Sequence, residues 1–164
     1  MNLNLQNIRV LSCKFRLCSK FTEIIINICK VASSLMITTN FGVIISFGIQ
    51  KGGVGKSTTT GISSYLLSKE YKVLAVDFDS QGNLTQFLTQ KNIYDFTHKT
   101  VLEALKEKNP TPYIYKITDS LHILPAEDLL VTFSRYLYRE YKGNVSTLLS
   151  ETLAIVKNDY DFIC

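Results

Sequence analysis

An α/β fold, with a mostly parallel sheet and flanking helices, is predicted for this 164-residue chain, and three observations carry the prediction. Short continuous apolar runs, each the length of one strand, recur at "VIISF" (43–47), "KVLAVDFD" (72–79), "SLHILPA" (120–126) and "YDFIC" (160–164). Helical patterns fill the intervals, as βαβ crossovers require. The first run ends in a glycine-rich turn that opens a helix, the end of a strand at which such sheets place their ligands.

Each element has its own signature. Residues 1 to 35 are weakly patterned and hold Cys13, Cys18 and Cys29. Two readings fit them: an in-frame extension upstream of a start at Met36, or a basic amphipathic or targeting arm. A polar lead-in then gives way to the β-branched run from Val43 to Phe47, read as a buried strand. From Lys56 to Lys69 the spacing of Ile62, Tyr65 and Leu66 predicts a helix, with small Gly61, Ser63 and Ser64 allowing close packing. Residues 72–79 form the second strand and end in acids. Helices follow around Leu84–Leu88 and at Val101–Lys108, the latter stopped by Pro110 and Pro112. Residues 120–126 form a third strand, 126–140 and 145–157 two further helices, and 160–164 opens a last strand. The expected division is an extension, 1–35, and one domain portion, 36–164.

Charge follows the same division. Residues 1–35 carry five basic residues against Glu23 alone, while 36–164 hold 13 of each sign and are net neutral. The body of the chain thus shows no electrostatic footprint for nucleic acid. No C-x-x-C pair and no suitably spaced histidine accompanies the four cysteines, which argues against zinc and for reduced thiols in a cytosol. The apolar stretch 21–48 is interrupted by Glu23, Lys30, Ser33, Ser34, Thr38, Thr39 and Asn40, too often for a membrane span. No secretory signal is present at the start.

The chemistry concentrates in "KGGVGKST", residues 51–58. Gly52, Gly53 and Gly55 leave backbone amides free to wrap phosphate oxygens, and the helix beginning at Lys56 directs its positive end at the same anion. The Lys56 ammonium reaches terminal phosphates, and the Ser57 hydroxyl suits Mg²⁺. The loop departs from the ordinary G-x-x-x-x-G-K-[ST] motif in one place: Gln50 stands where its first glycine belongs.

With Lys51 beside Gln50, the loop resembles the deviant Walker A motif of the ParA/MinD family of P-loop ATPases, x-K-G-G-x-G-K-[ST]. "VLAVDFDSQGNLT", 73–85, resembles the partition branch's V-D-x-D-P-Q-G-N-x-T, with Ser80 in place of the proline. Leu124-Pro125-Ala126 is a weaker echo. The resemblance covers about residues 42–164 and implies ATP and Mg²⁺ as cofactors. Gly52, Gly53, Val54, Gly55, Lys56, Ser57 and Thr58 would hold the nucleotide, and Ser57 and Asp77 would lie at the metal. Asp79 would position the attacking water. Lys51 would reach the partner subunit's phosphates in an ATP-bound homodimer. Also implied are a Walker B strand beside the loop strand, a ParB-like partner, non-specific DNA contacts through a carboxyl-terminal half absent here, no membrane, and a cytoplasmic, nucleoid-associated location. "YDFI" matches the start of that Walker B strand, and Cys164 ends the chain before its aspartate, so a portion truncated at this strand is expected. A MinD-like positioning ATPase and a non-catalytic truncated relic are the alternatives.

Two weaker signals complete the reading. "FSRYLYREYK", 133–142, interleaves Arg135, Arg139 and Lys142 with tyrosines, which suits nucleic-acid stacking. Leu130, Phe133, Leu137 and Tyr141 nevertheless form one helical stripe, and an amphipathic core helix is the favoured reading. His98 and His122 lack partners at catalytic spacing and are expected at the surface or in a polar core.

Overall fold

The computed structural model of the chain describes residues 11–12 (backbone only), 42–48, 53 and 55–164. Six strands are present among them: β1 (Leu11–Ser12), β2 (Val43–Ser46), β3 (Val73–Val76), β4 (Tyr115–Lys116), β5 (Leu121–Leu124) and β6 (Phe162–Ile163). The α-helices are α1 (Lys56–Leu67), α2 (Asn83–Thr89), α3 (Val101–Glu107), α4 (Phe133–Arg139) and α5 (Val145–Ala154). The sheet runs β1-β2-β6-β3-β5-β4, parallel throughout except where the edge strand β4 pairs antiparallel with β5. The last strand in sequence is thus inserted beside the first apolar one. Val43 pairs with Phe162, which also pairs with Val73, and Val73 in turn pairs with Leu121.

Alternation along the strands divides the core into two layers, because successive side chains leave opposite faces of a sheet. Val43, Ile45, Val73, Leu121 and Phe162 point to one face and pack with Leu67 of α1, while Ala75 and Ile123 meet Leu84 of α2 there. On this face α1 and α2 approach closely. A Cβ added at Gly61 would lie 2.5 Å from the Phe87 ring, the small-residue packing expected of α1. Leu74, Leu124 and Ile163 point to the other face, against Val101, Leu102 and Leu105 of α3 and Leu148 and Leu153 of α5. Both faces are covered, so the central strands are apolar without alternation, as parallel sheets require.

Several boundaries differ from the sequence expectation. The helix expected at 126–140 is a 3₁₀ segment, Asp128–Thr132, followed by the short α4. Of its expected stripe, Leu130 is buried and Phe133, Leu137 and Tyr141 pack against the core, so the amphipathic reading holds. The helix at 145–157 ends at Ala154. Strand β4 has no period-two pattern of its own and owes its form to pairing with β5. Helix α3 is started by a capping box, in which Glu103 Oε2 accepts from the Thr100 amide at 3.1 Å.

Candidate nucleotide site

The carboxyl ends of β2, β3 and β6 and the amino end of α1 surround a cleft of about 430 Å³. Lys56, Ser57, Asp77, Phe78 and Asp79 line it, and Leu149, Ser150 and Leu153 of α5 form its far wall. It lies outside the strand ends, as ligand sites in open α/β sheets do. Of the expected loop residues, Lys51, Gly52 and Val54 lie outside the described residues. Gly53 and Gly55 adopt φ of +71° and +80°, a region that residues bearing a Cβ rarely enter. Lys56 and Ser57 are half-buried in the first turn of α1, and Thr58 is exposed there.

The first turn of α1 has no side-chain cap and no acidic residue. Its leading amides have no partner inside the helix, and the positive end of the helix dipole is not offset by an anion of its own turn. That arrangement fits a phosphate group. The oxygens of Ser57, Asp77 and Asp79 on the same cleft are hard donors of the type Mg²⁺ takes. Lys56 adds a cation at the helix start. The residues present therefore fit a magnesium nucleotide.

The two aspartates differ in their surroundings. Asp79 is half-buried, and its Oδ1 accepts from the Gln81 amide at 3.0 Å in an Asx-type turn. Asp77 is only 3% exposed. Burial pushes its pKa above the ordinary 3.8, and hydrogen bonds from Thr85 and the Asp79 amide pull it back. Oδ2 accepts from the Thr85 amide and from the Thr85 hydroxyl, each at 2.8 Å, and Oδ1 accepts from the Asp79 amide at 3.2 Å. Gly82 follows at φ +59° and turns the chain into α2.

Three contributors escaped the sequence reading. Phe78 lines the cleft and meets Phe133 edge to face at 5.7 Å. The α5 wall comes from residues seventy positions beyond the aspartates, with no motif of their own. Thr85 stood within the quoted 73–85 stretch without a role. Its spacing of eight from Asp77 becomes meaningful only once α2 folds back over the end of β3. His98 is exposed, and His122 lies away from the cleft beside Tyr160, as expected for residues outside the chemistry.

Comparison with known proteins agrees with this architecture. Residues 42–164 match the model of a family described as an AAA domain. The chromosome-partitioning ATPase Soj of Treponema pallidum is 33% identical over 128 residues, covering 74% of this chain and 47% of that protein. Among solved structures, a plasmid partition protein of Borrelia burgdorferi bound to AMPPNP superimposes with TM-score 0.63 at 34% identity, over 74% of this chain and 52% of that one. Cobyrinic acid a,c-diamide synthase of Mycobacterium smegmatis, with a bound ATP analogue and magnesium, gives TM-score 0.66 at 27% identity, over 74% and 49%. The chain spans about half the length of these relatives. With its loop between β2 and α1, its parallel sheet and these relatives, the chain belongs to the ParA/MinD-like family of AAA-domain partition ATPases.

Proposed function

We propose that residues 36–164 form the amino-terminal portion of a partition ATPase that binds MgATP in the cleft above β2, β3 and β6. The observation that carries this reading is the first turn of α1, with no side-chain cap from Gly55 and no acidic residue, at a cleft lined by two aspartates. Residues 52–58 would hold the phosphates, with Lys56 supplying the cation and Ser57 and Asp77, both on the cleft, the metal side. Asp79 would orient the attacking water. The metal would neutralise charge on the terminal phosphates. In the intact protein, ATP would close a homodimer in which Lys51 acts in trans, and a ParB-like partner and non-specific DNA would complete the system. A cytoplasmic, nucleoid-associated place is part of the same reading. Among the described residues no helix is long and apolar enough to cross a membrane.

The test is direct titration of MgATP into the protein and its Lys56→Ala variant by calorimetry. Lys56→Ala is expected to weaken binding by at least about tenfold, the equivalent of roughly 1.4 kcal/mol. Unchanged affinity would remove the phosphate-loop assignment.

A further inference from the structure

The buried carboxylate of Asp77 is held mainly by one residue. Thr85 places both its amide and its hydroxyl on Oδ2, each at 2.8 Å. The same hydroxyl oxygen accepts from the Ala126 amide at 3.0 Å. Thr85 and Ala126 have no exposed surface, and Asp77 has almost none. A single hydroxyl therefore joins the end of β3, the first turn of α2 and the segment leaving β5. Thr85 itself is not part of the cleft wall, whereas Asp77, Asp79 and Leu84 are.

We propose that Thr85 is a positioning residue of the nucleotide cleft: its hydroxyl fixes the Asp77 carboxylate and, through the Asp79 amide bonded to Asp77, the Asp79 turn. The inference rests on the MgATP reading above and goes beyond it. Helix initiation alone does not explain the hydroxyl, because the amide of Thr85 already gives the Asp77 carboxylate its place at the start of α2. The hydroxyl does something different. It donates to one buried group and accepts from another, so a side chain of the same shape without it removes one of the two donors on Asp77 Oδ2 and leaves the Ala126 amide without this acceptor. It also gives Leu124-Pro125-Ala126 a physical function, since the Ala126 amide is the far anchor of the chain.

Thr85→Val and Thr85→Ser separate these roles. ADP is titrated into the 164-residue protein and both variants with and without Mg²⁺, and the ratio of the two affinities is read. Val is expected to lower the magnesium-dependent gain by about tenfold, the loss of one buried hydrogen-bonded pair, while Ser retains the wild-type ratio. A valine variant with the full gain, or a serine variant as impaired as valine, overturns the proposal. Wild-type protein that binds no ADP under either condition removes the nucleotide reading itself and this inference with it. If the valine variant does not fold, hydrogen exchange on the wild type decides. MgADP is expected to slow exchange of the Thr85 and Ala126 amides, and unchanged rates there overturn the proposal.

Discussion

Gly82 shows how one residue sets the geometry of the site. It sits at φ +59°, and a Cβ there would collide with Ile93 and lie 3.0 Å from the Ala126 carbonyl oxygen. Gly82→Ala is thus expected to cost about 2 kcal/mol or more, from the left-handed backbone and from displaced neighbours. Urea denaturation with a shift in midpoint at unchanged slope measures it. His122 offers a second residue-scale test. Its Nδ1 lies 2.7 Å from the Tyr160 hydroxyl, while Nε2 is buried with no hydrogen-bond partner among the described residues. Burial lowers its pKa below 6.5, and Lys72 and Lys116 nearby add to the effect, opposed by Asp119. A histidine whose folded pKa is depressed stabilises the fold fully above its unfolded pKa and loses that contribution as pH falls through the window beneath it. Wild-type melting temperature is therefore expected to drop from pH 7.5 to 5.5 by more than that of His122→Gln. Equal drops would show that His122 is not the titrating group.

At the scale of elements, legibility followed burial. The runs at 43–47 and 72–79 were readable because both sheet faces are covered and nearly every position must be apolar. Ala75 and Ile123 are fully buried and paired in register. Ile123→Ala is expected to destabilise the domain by about 2–5 kcal/mol, the transfer loss plus the cavity left between sheet and α2, again measured by denaturant unfolding. The 126–140 segment was less legible. Its stripe reports which side faces the core, but the stripe does not distinguish a 3₁₀ turn joined to a short helix from one continuous helix. Strand β4 was not legible because its two residues are too few to carry a pattern and take their form from pairing with the neighbouring β5. The α5 wall of the cleft was not legible because it depends on segments distant in sequence. The left-handed glycines Gly53 and Gly55 and the placing of Asp77 and Asp79 at a strand's end on the cleft were legible from the pattern of residue types, whereas Thr85 required the fold to show what lies opposite its hydroxyl.

At the scale of the molecule, the sheet brings the loop strand β2, the acid-bearing strand β3 and the late strand β6 to one edge of a single cleft. In the proposed reading, the phosphate, metal and water positions come from two of these segments, 52–58 after β2 and 77–79 after β3, while Ile163 and Cys164 of the β6 segment line the same cleft. The proposed dimer extends this logic across two chains and separates the two lysines of the loop. Lys56 is proposed to act within its own cleft, so its removal is expected to weaken nucleotide binding by at least about tenfold. Lys51 is proposed to act on the phosphates of a second copy, so Lys51→Ala is expected to bind MgATP within about twofold of the wild type, a difference near 0.4 kcal/mol. The same variant is expected to lose the ATP-dependent gain in mass seen by light scattering in the intact protein. Hydrolysis should fall with it by about two to three orders of magnitude, since a cation supplied in trans acts on charge developing in the transition state. A Lys51→Ala protein that dimerises with ATP and turns over normally would show that the site is complete within one chain, and that the glutamine-lysine departure at 50–51 has no part in assembly.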